Sequence, residues 1–250
     1  MSPLYLRQVA LAVRDLDKVV ESFCTVFDTE VAHVDPTIGQ FGVQHAVIRL
    51  GTQYVEVLAP VEDTATMTRF IARRGEGLYM VLLQCEDDRT YRARADELGI
   101  RRILELTEEG DYRCFQMHPS DSRTSVMLEI DQQPGPPTGP YFPGGNIALP
   151  ADAARDGLIT GVSIPSSDAD ELARRWGQLL DHPVEGPPAG LAVALANAAL
   201  RFPVGTPADV TIDVSVGDPP AVLARAAKIG LATSGSVVTL GGANFAVSSS

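Results

Sequence analysis

The sequence predicts an α+β fold assembled from repeated modules, each with one strand, one helix and three further strands. Three observations predict it. An apolar run followed by acids occurs at residues 8–15 and again at residues 80–87, a helix pattern follows each run, and each module ends in an apolar strand with a central acid, Glu56 or Glu129. The two modules have nearly the same length from the opening run to this acid. Equal spacing of equivalent elements indicates an internal duplication.

Each module continues from its first strand into a single helix. In the first module, apolar residues recur at helical spacing over residues 16–27, with Asp15 or Asp17 as the candidate N-cap. In the second module, the helix pattern covers about residues 90–98 and stops at Gly99. Single helices between strands and closing hairpins favour an architecture in which two modules wrap their strands around a central cup.

A stretch rich in proline and glycine at residues 132–150 separates this part from the rest of the chain. Beyond it, strand, helix and hairpin patterns recur in a shorter form. We therefore expect a domain with the candidate cup over residues 1–133, a linker over residues 134–157, and a shorter, degenerate domain over residues 158–250.

Composition excludes several classes of protein. The chain has 250 residues, 45% of them hydrophobic, and a formal net charge of -12. Nucleic-acid binding draws its affinity from clustered Lys and Arg, so this charge argues against it. No apolar run reaches the length of a membrane-spanning helix, and three widely spaced cysteines fit reduced thiols better than disulfides. We expect a soluble cytoplasmic protein that binds neither nucleic acid nor membrane.

The strand faces predict one concave site. Alternate residues of a strand share a face, so Glu56 lies opposite the apolar face of Val55 and Val57. If residues 51–52 form a two-residue turn, cross-strand pairing brings His45 to the side of Glu56. The residues expected on the cup face are Gln8, His45, Arg49, Tyr54, Glu56, Met80, Gln84, Met127 and Glu129. Two buried carboxyl groups in one cup are typical of acid–base sites. The alternative is that both acids are solvated at strand ends and do nothing.

His118 has two possible places in this scheme. It lies either at the mouth of the cup, as a substrate-binding residue, or in a turn with Pro119 and Asp121. The turn is favoured, because proline and aspartate are typical turn residues.

These motifs resemble the vicinal-oxygen-chelate superfamily of glyoxalases, bleomycin-resistance proteins and dioxygenases, and within it methylmalonyl-CoA epimerase-like and glyoxalase-like proteins. The resemblance is carried by Val-Ala-Leu-Ala-Val-Arg-Asp-Leu-Asp at residues 9–17, Tyr-Val-Glu-Val-Leu-Ala-Pro at residues 54–60 and His-Pro-Ser-Asp at residues 118–121. It covers residues 4–131 well and residues 158–247 by layout only. The resemblance implies two glyoxalase-like domains, built from βαβββ modules, in one chain.

The resemblance also implies where a metal ion would bind. Members of the superfamily place two ligands on each module, and the matching positions are Gln8, Glu56, Met80 and Glu129. Typical members have histidine at the positions of Gln8 and Met80, and a thioether is a poor ligand for hard divalent ions. We therefore expect no cofactor. The alternative is a divalent ion held weakly by Gln8, Glu56 and Glu129.

Two functions follow from this interpretation. The first is a metal-independent or weakly metal-dependent isomerase, epimerase or lyase that acts by proton transfer on a small carbonyl compound or acyl thioester. Its expected catalytic residues are Glu56, Glu129 and His45. Its expected substrate-binding residues are Gln8, Arg49, Tyr54, Met80, Gln84, Met127 and His118. The second function is non-catalytic binding or sequestration of a small molecule, as in bleomycin-resistance proteins, because methionine-lined pockets adapt to varied ligands. Either protein is expected as a monomer or homodimer.

Overall fold

A computed structural model describes residues 3–107, 112–124, 126–150, 153, 157–186 and 190–250. Over these residues the chain forms two eight-stranded mixed sheets and five α-helices. The first sheet lies within residues 5–132 and the second within residues 158–249. The predicted α+β fold with a repeated arrangement is therefore confirmed.

The first sheet has the strand order β2-β3-β4-β1-β5-β8-β7-β6. Its strands are β1 (Tyr5–Ala12), β2 (Val31–His33), β3 (Val43–Leu50), β4 (Gln53–Pro60), β5 (Gly77–Cys85), β6 (Arg102–Thr107), β7 (Arg113–Met117) and β8 (Met127–Gln132). Its helices are α1 (Leu16–Phe27), α2 (Thr66–Arg74) and α3 (Arg89–Glu97). At the centre, β1 is parallel to β4 and antiparallel to β5, and β5 is parallel to β8.

The second sheet repeats this order as β10-β11-β12-β9-β13-β16-β15-β14. Its strands are β9 (Leu158–Ser163), β10 (Val184–Glu185), β11 (Leu191–Ala194), β12 (Ala199–Phe202), β13 (Thr211–Val216), β14 (Thr233–Ser234), β15 (Val237–Leu240) and β16 (Ala243–Ser249). Its helices are α4 (Ala169–Leu180) and α5 (Pro219–Lys228). The two sheets have the same topology, which agrees with the recurrence of strand, helix and hairpin patterns in the second half of the sequence.

Local chemistry fixes the helix that follows the first strand. The Asp15 side chain accepts a hydrogen bond from the backbone N–H of Lys18, 3.1 Å away, and this N-cap starts α1. Asp28, with a φ of 54°, adopts the left-handed conformation that ends the helix. The buried face of α1 carries Phe23 and Phe27.

The helices of the two halves pack against each other. α1 contacts α5, and α3 contacts α4. The Phe245 ring of β16 lies 5.5 Å from the Phe23 ring and 5.7 Å from the Phe27 ring, measured between centroids. Arg225 of α5 donates from Nε to the carbonyl oxygen of Val26 at 2.8 Å. The buried apolar core consequently includes residues from both halves.

Gln53 connects the two sheets through its side-chain amide. Its Nε2 donates to the carbonyl oxygens of Leu6 and Ile159, each at 2.9 Å. Its Oε1 accepts from the backbone N–H of Ile159 at 2.7 Å. Because Gln53 is 1% exposed, it satisfies backbone groups of both sheets that water does not reach.

The second half departs from the first where a cup would form. Arg201 on β12 and Asp213 on β13 form an ion pair, and Gly161 between them leaves space for it, since a Cβ there would collide with both side chains. The linker predicted at residues 134–157 is described only in part, because residues 151, 152 and 154–156 lie outside the described residues. Within the described part, no helix combines the length and apolar character needed to cross a membrane.

Candidate active site

A cavity of about 810 Å³ opens on the concave face of the first sheet. Its wall includes side chains from β1, β3, β4, β5 and β8, together with the 3-10 turn Pro36–Phe41, helix α2 and residues 142–146. Apolar side chains make up much of it, and those nearest the sheet centre are Leu58, Met67, Met80, Leu82 and Met127. The cavity is therefore an apolar pocket into which a few polar groups point.

Glu56 on β4 is held by two neighbours at the wall of this cavity. Gln8 on β1 donates from Nε2 to Glu56 Oε2 at 3.0 Å. His45 on β3 lies with Nδ1 2.5 Å from Glu56 Oε1. The other ring nitrogen, Nε2, accepts the backbone N–H of Asp35 at 2.8 Å, so the proton of a neutral ring sits on Nδ1 and is donated to Glu56. Glu56, 5% exposed, thus accepts one hydrogen bond on each of its two carboxyl oxygens.

Glu129 on β8 has a different environment on the second module. Gln116 on β7 donates from Nε2 to Glu129 Oε2 at 2.6 Å. Asp131 lies two residues along the same strand face and hydrogen-bonds with Glu129. Asp131 is 0% exposed and accepts the hydroxyl of Tyr112 at 3.1 Å and the hydroxyl of Tyr141.

The two buried carboxyl groups of β8 hydrogen-bond to each other, and burial raises the pKa of both. Burial, and then the charge and hydrogen bond of Asp131, raise the pKa of Glu129 well above its usual value. Burial also raises the pKa of Asp131, to about 6, against the lowering effect of hydrogen bonds from Tyr141, Glu129 and Tyr112. Asp131 is therefore the group of the two that loses its proton more readily.

Residues that follow the first sheet fold back over part of its concave face. The Tyr141 ring stacks on the Tyr54 ring with centroids 5.7 Å apart, and the Arg7 guanidinium lies 4.6 Å from the centroid of Tyr141. Gln84 donates from Nε2 to the carbonyl oxygen of Gln133 at 2.7 Å. The predicted linker thus begins as a wall of the site rather than as a spacer.

The sequence of this region matches a known family model. Residues 7–115 match the Glyoxalase/Bleomycin resistance protein/Dioxygenase superfamily. This part of the chain, which carries most of the first sheet, is similar to that superfamily. No curated protein matches the chain.

Several solved structures resemble half of the chain. A hypothetical protein from Bacillus halodurans C-125 is 18% identical over 53% of this chain and 96% of its own, with a TM-score of 0.46. A methylmalonyl-CoA epimerase variant from Streptomyces coelicolor, in complex with 2-nitronate-propionyl-CoA, is 22% identical over 52% of this chain and 94% of its own, with a TM-score of 0.46. The methylmalonyl-CoA epimerase from Mycobacterium tuberculosis is 21% identical over 52% of this chain and 88% of its own, with a TM-score of 0.45.

The structure brings six of the residues predicted from sequence to the cavity of the first sheet. They are Gln8, His45, Glu56, Met80, Met127 and Glu129. Four others lie away from the cavity wall: the expected placement of Arg49, Tyr54 and Gln84 was wrong, whereas His118 lies in the turn that the sequence favours. Tyr54 and Gln84 lie under residues 133–146, which fold back over them. Arg49 lies opposite Tyr54 in the hairpin of β3 and β4, and like Tyr54 it does not line the cavity. His118 belongs to a turn, since its carbonyl oxygen accepts the backbone N–H of Asp121 at 3.0 Å.

Sequence reasoning missed the polar residues that support Glu129. Asp131 lies on the same strand face as Glu129, as residues at i and i+2 do, and it is buried beside it. Tyr112 and Tyr141 come from loops, for which strand periodicity gives no information.

The four metal-ligand positions implied by the superfamily do not fit a hard divalent ion. Gln8 presents its amide N–H to Glu56, and Glu56 accepts a second hydrogen bond from His45. Glu129 is engaged by Gln116 and Asp131. Met80 supplies a thioether, which hard ions bind poorly.

A second group of candidate ligands lies deeper in the second module. The ligand atoms of Cys114, Glu129 and Asp131 lie within 4.8 Å of one another. Both oxygens of Asp131 already accept tyrosine hydroxyls. Burial also raises the pKa of the Cys114 thiol, which opposes the thiolate that a metal ion requires. With these hydrogen bonds in place, Cys114, Glu129 and Asp131 suit a metal ion no better than the four superfamily positions do.

Proposed function

We propose that the cavity is the active site of an isomerase, epimerase or lyase that acts by proton transfer on a small carbonyl compound or acyl thioester, without a metal ion. One observation carries the proposal. Glu56 and Glu129 both reach the same cavity, yet Glu56 accepts hydrogen bonds from the N–H groups of Gln8 and His45, whereas burial and the neighbouring Asp131 raise the pKa of Glu129. Carboxyl groups whose surroundings separate their protonation states are typical of acid–base sites.

Glu56 is the proposed general base. Its carboxylate oxygens meet N–H groups of Gln8 and His45, and these contacts orient it toward the cavity. Glu56 removes a proton from the carbon beside the carbonyl group, and the electron pair of the broken C–H bond moves onto the carbonyl oxygen.

Glu129 is the proposed electrophilic partner. Its retained proton allows the carboxylic acid to donate a hydrogen bond to the oxygen on which charge develops. When Glu129 turns toward a ligand, it gives up its hydrogen bond with Asp131. Asp131 still accepts hydrogen bonds from the hydroxyls of Tyr112 and Tyr141, so its carboxyl group is not left without partners. In an isomerase Glu56 then delivers this proton to the neighbouring carbon, and in an epimerase the acid Glu129 delivers its own proton to the opposite face of the same carbon. In a lyase the electron pair expels a leaving group, and the removed proton stays on Glu56.

Hydrogen exchange tests this function directly. The protein is incubated in heavy water with a propionyl thioester of N-acetylcysteamine and with 1-hydroxybutan-2-one, and deuterium beside the carbonyl is measured by NMR. We expect incorporation with the wild-type protein and its loss in Glu56→Gln, while Glu21→Gln, an exposed change on α1, retains it. No exchange above the uncatalysed rate with any carbonyl probe contradicts the proposal.

Metal content is measured on the same preparation by elemental analysis. We expect less than stoichiometric transition metal and no loss of exchange after treatment with a chelator. A stoichiometric ion that is needed for exchange contradicts the metal-free form of the proposal.

The second candidate function is binding without catalysis. It is favoured by three methionines on the cavity wall, Met67, Met80 and Met127, whose flexible side chains adapt to varied apolar ligands. Saturable binding of carbonyl probes without any exchange supports this alternative.

We retain three further expectations as proposals. The boundaries at residues 133 and 157 divide the chain into two domains and a linker. The protein acts in the cytoplasm, as a monomer or homodimer. Its partners are small molecules rather than nucleic acids or membranes.

A further inference from the structure

A smaller cavity lies where the two halves of the chain meet. It has a volume of about 180 Å³ and is lined by different residues from the cavity of the first sheet. One side is formed by the end of α2 and the turn into β5, and the other by the loop ahead of β13, which includes residues 206–210. Beside it the two backbones approach closely, since a Cβ at Gly242 would collide with the carbonyl oxygen of Glu76. The cavity therefore needs both halves of the chain.

Part of the wall of this junction cavity is apolar. Phe70, Leu78 and Val210 line it, and Leu78 and Val210 are each 4% exposed. The Phe70 ring packs edge-on against the Tyr79 ring, with centroids 5.1 Å apart, so its position is fixed by packing. A concave apolar wall of this kind fits a small apolar group.

Two arginines at the junction cavity have no protein partner. Arg73 and Arg74 lie in the last turn of α2, both are exposed, and neither forms an ion pair or a side-chain hydrogen bond with any residue that the structure describes. Arg69 of the same helix, by contrast, donates to the carbonyl oxygen of Thr64 at 2.7 Å. Cationic side chains complement the dipole at the end of a helix, but this leaves the guanidinium N–H groups of Arg73 and Arg74 without a protein acceptor.

The acidic side chains nearby do not neutralise this pair. Glu76 lines the cavity, yet its carboxylate accepts the backbone N–H of Arg14 at 2.8 Å and lies 3.5 Å from the Arg14 guanidinium. Asp209 is exposed in the loop of the second half and is not among the residues that line the cavity. In a chain with a net charge of -12, the junction cavity is thus a local positive site. Guanidinium groups bind oxyanions through paired N–H donors.

We propose that the junction cavity binds a small organic anion, with its oxyanion at Arg73 and Arg74 and its apolar body against Phe70, Leu78 and Val210. This binding is independent of the chemistry proposed for the larger cavity. Because the ligand contacts both halves, it stabilises the folded chain as its concentration rises.

Three probes separate the two parts of such a ligand. Phenyl phosphate carries an oxyanion and an apolar ring, inorganic phosphate lacks the ring, and phenol lacks the anion. Dissociation constants are measured on the intact protein by isothermal titration calorimetry at constant ionic strength, because salt screens exposed charges. We expect phenyl phosphate to bind at least about fivefold more tightly than either of the other two, since it alone makes both kinds of contact.

Single substitutions on α2 test the arginines. Arg73→Gln and Arg74→Gln should each weaken the binding of phenyl phosphate about two- to fivefold, the value of one exposed ion pair, and leave phenol unchanged. Arg69→Gln is the matched control, because it removes the same charge from the same helix outside the cavity. We expect it to leave the affinity for phenyl phosphate unchanged.

A substitution from the second half tests the cavity itself. Ala208 is exposed and lines the cavity, so Ala208→Trp fills it without a change of charge and should also weaken phenyl phosphate binding. If Ala208→Trp does not fold, the three arginine variants still decide the matter.

Four results would overturn the proposal. They are the absence of saturable phenyl phosphate binding, unchanged affinity in both Arg73→Gln and Arg74→Gln, equal weakening by Arg69→Gln, which indicates only nonspecific attraction of anions, and inorganic phosphate that binds as tightly as phenyl phosphate.

Discussion

Replacing Gln53 by methionine tests how the two halves are joined. The side chain makes three hydrogen bonds to backbone groups, at 2.9, 2.9 and 2.7 Å, and it is 1% exposed. Methionine fills nearly the same volume without an amide, so little room is left for water. Each buried backbone group left unsatisfied costs about 1–3 kcal/mol. The Leu6 carbonyl keeps a hydrogen bond from Asn197 Nδ2 at 3.0 Å, so two groups lose a partner, and the lower end of the range gives a loss of about 2 kcal/mol in the free energy of unfolding.

Urea unfolding, followed by two signals, measures this loss. The chain has one tryptophan, and Trp176 is buried in the second half, so its fluorescence reports that half, whereas far-ultraviolet circular dichroism reports both. We expect coincident transitions in the wild-type protein and a lower midpoint in Gln53→Met. Gln44→Met serves as the exposed control. A loss below about 1 kcal/mol would refute the reasoning, because it falls under the cost of even one unsatisfied group.

Three further predictions concern pH, cysteine reactivity and a glycine. The Arg101 hydrogen bond lowers the pKa of Asp121 to about 2, so its contribution to stability is present above pH about 4 and is lost as the pH falls toward 2. Asp121→Asn should flatten this part of the pH dependence of the urea midpoint, and an unchanged slope would argue against the ion pair. Burial raises the pKa of Cys85 and Cys114, so in Cys24→Ser we expect no labelling by iodoacetamide at pH 8 until urea is added, as checked by mass spectrometry. A Cβ at Gly144 would collide with the Tyr54 ring, so Gly144→Ala should lower the free energy of unfolding by about 1–3 kcal/mol, whereas Gly217→Ala, with open space around it, should not.

The hairpin that carries Glu56 could be read from the sequence in detail. The turn at residues 51–52 fixes the register. The structure pairs Val47 with Glu56 and His45 with Leu58, which brings His45 to the side of Glu56 as the turn predicts. The reason is that a two-residue turn fixes which residues of the two strands lie opposite each other. Side chains alternate between the two faces of a strand, so the face of every later pair then follows.

The ends of the cup could not be read in the same way. Tyr54 shares a strand face with Glu56, so periodicity alone places it in the site. Tyr54 does not line the cavity because Tyr141 and Gly144 pack against its ring. Both residues belong to the segment that follows the first sheet, in which strand periodicity gives no information. Such long-range packing has no local pattern, and a composition rich in proline and glycine indicates only that the strand ends there.

The contact of α1 with Phe245 has a practical consequence for work with this protein. The family match stops within the first half, which invites cloning of that half alone. A polypeptide cut after the first sheet would expose the Phe23 and Phe27 rings that Phe245 now covers. Exposed aromatic surface of this kind drives self-association. The second half therefore acts as a cover for aromatic side chains that the first half would expose on its own.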